Sequence, residues 1–349
     1  MSLYSRIAGI VGTFLQIGGP AGPGLNANAG ALETRNAANS AFAVHRGATP
    51  VGANDLATKA YVDAGDTGGG VTVNDTNGLR LTLTSGVGVT TADVTGAGTI
   101  YWTPFKSNQV SLFISSAWTL KSTSEIAFPL TVTSGTVYDL FAFWNGSVVA
   151  VEQLAWSTTT TRAVALGQQD GVWVKSTDPT RRYIGTFYAN ATNQTEDSLA
   201  NRLLYNFYHQ QPRKLAVQDS TSSWSYTTAA WRQAQGTAPN HQFTCVLGMP
   251  WERVEARVSA MESASSAATN MSVAVGVDST TSPSADCTIY GSGAQNSAGL
   301  PTTANYDGVP GIGFHTVVWL EWGAGGGQFY GNVNSLGSEI AGMMGRMFG

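Results

Sequence analysis

Apolar and polar residues alternate over runs of about four to eight positions along most of the chain, and such runs predict strands. Leu79-Arg-Leu-Thr-Leu-Thr84 alternates strictly, and parts of 110–114 and 137–144 do likewise. Asn145-Gly146, between Trp144 and the apolar run 147–151, is the strongest hairpin signal, because Asn and Gly accept the positive φ of a two-residue turn. With 172–175 and 183–188 these runs outline an antiparallel β domain over 71–192.

The period then changes. Thr195 reads as an N-cap, Leu199, Leu203, Leu204, Phe207 and Tyr208 share one helical face, and Pro212 closes the run, so a connecting helix is predicted over 193–213. From 214 to 349 short strands return at 224–226, 241–247, 253–258, 271–277, 314–322 and 328–330, separated by Gly/Ser/Thr/Pro loops. That spacing fits a β-sandwich of the jelly-roll kind, and the fold class is mainly β. The stretch 336–348 reads equally as a strand or a short helix.

At the start of the chain, Leu3, Ile7, Ile10, Val11, Phe14 and Leu15 recur at spacings near three and four, as on one face of a short helix, although Gly9 and Gly12 weaken it. An extended arm is the alternative, and both readings imply docking against a partner. The stretch lacks a small-residue cleavage site and is too short to span a bilayer, so it is expected to be retained. Gly18-Gly-Pro-Ala-Gly-Pro-Gly24 interrupts regular structure, and 31–46 reads as two short strands around Asn36–Asn39. Asn54 and Asp55 cap a short helix carrying Leu56, Ala60 and Tyr61, and Gly65 ends it. So short a helix is marginal alone, and self-association would supply the missing burial. The expected order is a 1–50 attachment segment, a 51–70 linker, the 71–192 β domain, the 193–213 helix and the 214–349 sandwich.

Composition narrows the function. Charged residues make up 11% of the 349, against about 25% in an average soluble domain. Net charge is −4 with no basic block, which disfavours nucleic acid as a partner. Cys245 and Cys287 are the only cysteines; they do not make a zinc spacing or a disulfide framework and are expected to be reduced. Four histidines, His45, His209, His241 and His315, stand apart from one another without a metal-binding pair. Glu125, Asp139, Glu152 and Asp170 are the carboxylates weighed for glycoside hydrolysis, which needs two held about 5–10 Å apart. Each reads as lying in an alternating strand, where a solvent-facing polar residue is expected anyway. Nucleophile elbow, phosphate loop and dinucleotide fingerprint are all missing from the sequence. The expectation is a non-enzymatic chain without cofactor.

Gly47-Ala-Thr-Pro-Val-Gly-Ala-Asn-Asp-Leu-Ala-Thr-Lys-Ala-Tyr-Val-Asp63 resembles a linker of bacteriophage tail-fibre and virion appendage proteins, in which L-A-T-K-x-Y-V-D follows an anchoring segment. Gly30-Ala-Leu-Glu-Thr-Arg-Asn-Ala-Ala-Asn39 is similar to the strand pair that often precedes it. Asp170-Gly-Val-Trp-Val-Lys175, Arg181-Arg-Tyr-Ile-Gly-Thr186 and Thr195-Glu-Asp-Ser-Leu-Ala-Asn-Arg202 also resemble virion proteins. The resemblance implies a homotrimer of the virion, assembled in the bacterial cytoplasm, with its N-terminus on a tail, portal-proximal or capsid component. It places the C-terminal β domain outermost, and that domain is similar in strand count to trimeric jelly rolls of the complement-C1q and tumour-necrosis-factor shape. In this frame Leu3 to Leu15 dock on the particle, Leu56, Ala60 and Tyr61 join the trimer, and Trp224, Trp231 and Tyr306 face a host glycan or protein from loops. A capsid decoration or head fibre and a polysaccharide-degrading tailspike are the alternatives.

Overall fold

The computed structural model describes residues 14–16, 24–28, 31–35, 73–236, 240–264, 269–294, 300–324, 327–331 and 341–349. The chain divides into two units, Met1–Val71 and Thr72–Gly349. In the first, Phe14–Gln16, Gly24–Asn28 and Ala31–Arg35 form a three-stranded antiparallel sheet. The strand at 31–35 pairs backward with 24–28, Asn28 opposite Ala31; the second expected strand, beyond Asn36–Asn39, lies outside the described residues. Gly24 therefore begins a strand, where the sequence reading had only a connector. The short helix of the 51–70 linker lies outside the described residues.

The second unit is mainly β and nearly all its pairings are antiparallel; the described helical turns are two 3₁₀ segments, Val73–Asp75 and Ala234–Gly236. Its middle layer is a sheet ordered Val149–Ala155, Thr136–Trp144, Asp178–Ala189, Val172–Lys175, Leu166–Gln169, with Leu204–Asn206 also pairing on 178–189. Alternate residues of the 136–144 strand serve two cores. Val137 and Phe141 join one, with Tyr183, Tyr205, Phe243, Cys245, Val254, Val275 and Trp319. Tyr138, Leu140 and Ala142 join the other, with Leu79, Leu81, Ile100, Trp102, Val110 and Leu112. A strand buried on both faces reads as an apolar run, which is why alternation is only partial there.

Leu79–Thr82, Thr99–Pro104 and Ile126–Pro129 form a three-stranded sheet and Gln109–Ile114 pairs with Ala117–Ser122, while the other strands form one extended sheet whose backbone order is Pro212–Gln218, Gly342–Phe348, Val254–Ala264, Leu300–Gly308, Cys287–Ala294, Thr269–Val277, Gly313–Gly323, Gln242–Leu247, Asn201–Arg202, Thr195–Asp197, Val94–Ala97. Val254, Ala256, Val258 and Ala260 on one part of it share a core with Phe243, Val273, Val275 and Trp319 on another. The sheet thus doubles over a single interior. Because Val137, Phe141, Tyr183 and Tyr205 enter that interior too, residues from the predicted 71–192 and 214–349 domains share a core.

The predicted 193–213 helix is absent: Thr195–Asp197, Asn201–Arg202 and Leu204–Asn206 are strands. Thr195 Oγ1 donates to the Tyr188 carbonyl instead of capping a helix. Leu204 packs in one core and Tyr205 in the other, a period-two division that no single helical face allows. Asp197 is fixed by Arg202 and Arg213, at 2.7 and 2.5 Å.

The Asn145-Gly146 hairpin forms, with Trp144 opposite Val149 and hence four residues in its loop. The Asn145 side chain widens the turn by accepting from the Ser147 and Val148 N–H groups. A two-residue hairpin occurs instead at Asp170-Gly171, where Gln169 faces Val172 and both turn residues have positive φ, 50° and 84°.

Candidate functional site

The sequence-predicted contact residues are not gathered in one place. Trp224 lies in the strand Ser223–Tyr226, stacks on Phe329 with centroids 5.8 Å apart, and donates to Glu321 at 2.6 Å. Trp231 lies in the strand Trp231–Gln233 against Trp322. Tyr306 is 3% exposed in the strand Leu300–Gly308. All three belong to strands, not loops, and Tyr306 is core. Of the attachment residues, Phe14 and Leu15 fall in the first strand, while Leu3, Ile7, Ile10 and Val11 lie outside the described residues. Leu56, Ala60 and Tyr61 do so as well.

The weighed carboxylates are engaged locally. Glu125 accepts from Ser85, Thr103 and the Gly86 N–H, Glu152 pairs with Lys175 and Arg181, and Asp170 accepts from Trp118 and Gln169. Asp139 is buried against Arg162 and Thr186. Three histidines are held one by one: His209 by the Asn77 carbonyl, His241 by Asp219 and His315 by Asp278.

The concave feature with the most distinctive chemistry is an open cleft of 410 Å³ where residues 160–166, the strand Val172–Lys175 and the turn at 249–252 meet. Trp173 and Trp251 line it with ring centroids 6.0 Å apart and planes inclined by 43°. Trp251 is 53% exposed, and the other nine tryptophans are all half-buried or buried. Each ring is placed by local chemistry. The Asp170-Gly171 turn fixes the register of the 172–175 strand, in which Val172 and Val174 are buried and Trp173 is left half-buried beside the cross-strand Gln168. Pro250 presets φ after Met249, the Glu252 N–H closes on the Met249 carbonyl at 3.4 Å, and Trp251 stands at the turn. The turn is anchored below by Met249, 1% exposed, and by Glu252, which accepts from Tyr205 and Gln210.

The charged side chain on the cleft wall is Arg162, and its charge is answered within the fold. It meets Asp139 with two bonds, 2.7 and 3.3 Å, donates to the Gly248 carbonyl at 2.6 Å and lies over Trp156 at 4.5 Å. Burial disfavours the guanidinium cation, but Tyr183 and Asp139 beside it outweigh that and hold its pKa above the usual value. Burial pushes the Asp139 carboxyl up, and Arg162 and Thr186 oppose it only in part. The wall formed by 159–161 is pinned where Phe314 N–H donates to the Thr159 carbonyl at 3.0 Å. Thr160 and Thr161 on this wall are exposed. The arrangement offers two flat apolar faces, hydroxyl groups and no uncompensated charge. Sequence reading missed it, although Met-Pro-Trp after an apolar strand and Asp-Gly before Trp173 were the available signals.

No family model matches the chain, and no curated protein matches it. Among solved structures it is similar to the BuGH86 enzyme in complex with neoagarooctaose, at 9% identity and TM-score 0.22 over 74% of this chain and 34% of that one. It is also similar to the insecticidal delta-endotoxin Cry8Ea1 from Bacillus thuringiensis, at 5% identity and TM-score 0.23 over 73% of this chain and 49% of that one. The chain thus spans half or less of either protein, and likenesses this slight bear on neither fold nor activity.

Proposed function

We propose that this chain is a structural subunit of a bacteriophage virion appendage, which docks through residues 1–50 and presents its β body for contact with the host surface. The observation that carries the reading is the division of the chain into Met1–Val71 and Thr72–Gly349, with the tail-fibre-like stretch 47–63 ending just before the boundary. A mainly antiparallel body with few charged residues supports it, as does the local engagement of each weighed carboxylate. In this reading the chain is a homotrimer, and the doubled sheet of the C-terminal half is its jelly-roll-like outer layer. Trimerisation supplies avidity, so that weak surface contacts add up to firm attachment.

Cryo-electron microscopy of the intact particle tests the location: threefold density at the tail is expected, and density on the capsid shell would move the chain to a decorating role. Sedimentation equilibrium of the full chain tests the assembly. A monomer at micromolar concentration would overturn the trimeric reading.

A further inference from the structure

We infer that the Trp173/Trp251 cleft is a binding site for an uncharged pyranose unit of a surface polysaccharide. The inference rests on the appendage reading for its biological setting and on the cleft alone for its chemistry.

One face of a pyranose ring carries C–H groups, whose slight positive charge meets the negative face of an aromatic ring, while the hydroxyls project around the edge. A site for it therefore needs flat, rigid aromatic faces and a few hydroxyl or amide groups beside them. Trp251 and Trp173 provide two such faces 6.0 Å apart. The exposed Thr160 and Thr161 hydroxyls provide the polar edge. At 410 Å³ the cleft falls within the range of small-molecule sites, roughly 300–1,000 Å³.

Exposure of Trp251 forfeits the burial that the other tryptophans obtain, yet the turn carrying it is anchored on both sides by Met249 and Glu252. The ring is therefore fixed in place, and a ligand meets it without ordering a loop first.

Charge selects the ligand class. An acidic sugar would need a free cation, and the Arg162 charge is already paired with Asp139, its Nε and Nη2 donating to that carboxylate and to the Gly248 carbonyl. A basic ligand would need a free carboxylate, and the two beneath the cleft are engaged within the fold, Asp139 paired with Arg162 and Glu252 accepting from Tyr205 and Gln210. A neutral hexose segment is what remains.

The test is affinity electrophoresis and tryptophan-fluorescence titration of the full chain with dextran, mannan and galactan as neutral probes and polygalacturonate as the acidic one. At least one neutral polymer is expected to retard the protein and change its emission, and Trp251→Ala to weaken that binding by roughly tenfold or more. Trp251→Phe, which keeps a flat face at an exposed position, should retain most of it. Binding of no neutral polymer, preferential binding of polygalacturonate, or unchanged binding by Trp251→Ala overturns the inference. So does a change in subunit number on Trp251→Ala, which would make the cleft a contact between copies. None of these outcomes bears on where the chain sits in the particle, so failure of the site and failure of the appendage reading are separately visible.

Discussion

Gly248 lies where the middle sheet meets the doubled one, and Gly248→Ala tests how tightly that seam is packed. A Cβ added there would meet Tyr183 Oη at 2.1 Å and two ring carbons of Tyr205 at 2.4 and 2.5 Å. Neither tyrosine has room to retreat. Both are 0% exposed; Tyr183 is hydrogen-bonded to Thr186 at 2.6 Å and Tyr205 to Glu252 at 2.6 Å. Overpacking of this kind costs about 1–3 kcal/mol, and displacing one buried hydrogen bond adds about 1 kcal/mol, so a loss of roughly 2–4 kcal/mol is expected. With a urea m-value near 3 kcal/mol/M, the unfolding midpoint falls by about 1 M. Gly146→Ala is the control: φ is +100° and nothing lies within 4 Å, so only backbone strain of about 1 kcal/mol is at stake. Adding Tyr183→Phe to Gly248→Ala removes the nearest atom but leaves the Tyr205 ring, so recovery should be partial. If Gly248→Ala unfolds within about 0.5 kcal/mol of the wild type, or matches Gly146→Ala, the steric reasoning fails.

Asp197→Asn leaves Arg202 and Arg213 buried without their shared carboxylate, and urea unfolding should register a loss of about 3–5 kcal/mol; a loss no larger than for an exposed ion pair would refute it. Burial pushes the Glu321 carboxyl above its usual range, and hydrogen bonds from Trp224 and Arg232 offset this only partly. A carboxyl raised on folding contributes stability that is fully present below its unfolded value and lost as pH rises through the folded one. Glu321→Gln should therefore flatten the fall in urea midpoint as pH rises above the ordinary glutamate range, whereas a constant offset from the wild type would count against this. Both cysteines are unpaired. Burial pushes the Cys245 thiol up to about 12 and raises Cys287 less. Ellman's reagent should reach Cys287 slowly in the native chain and Cys245 only on unfolding; equal native rates would show that the 245 site opens.

The β class was legible because period-two alternation survives where one strand face is buried, as at Val254–Ala264, and at Leu79–Thr82 because the second face buries hydrogen-bonded polar residues, Arg80 and Thr82. It failed at Leu199 to Tyr208, where spacing that suits a helix was produced by adjacent residues serving two different cores, Leu204 in one and Tyr205 in the other. A single sequence window cannot distinguish these, because the second core is supplied by residues far away. The same blindness displaced the candidate site. Tyr306 sits in Thr- and Asn-rich surroundings that read as a loop, yet pairing with 254–264 makes them a strand, while Trp224, in a run that already reads as a strand, is turned onto Phe329 by pairing with 327–330. Trp173 and Trp251 are 78 residues apart in sequence and meet only through tertiary packing. The two turns that place them were readable; their convergence was not.

The strand Gly342–Phe348 sits between Pro212–Gln218 and Val254–Ala264 and pairs with both along its length. It follows both neighbours in the chain, so during synthesis each of them emerges from the ribosome with an open edge. That gap persists until the intervening strand is made and threads into place. The doubled sheet therefore closes late and over long sequence separations, a topology that folds slowly and leaves nascent chains prone to pairing with one another. The interval between translation and closure is the period in which chaperones or neighbouring chains exert most influence on yield.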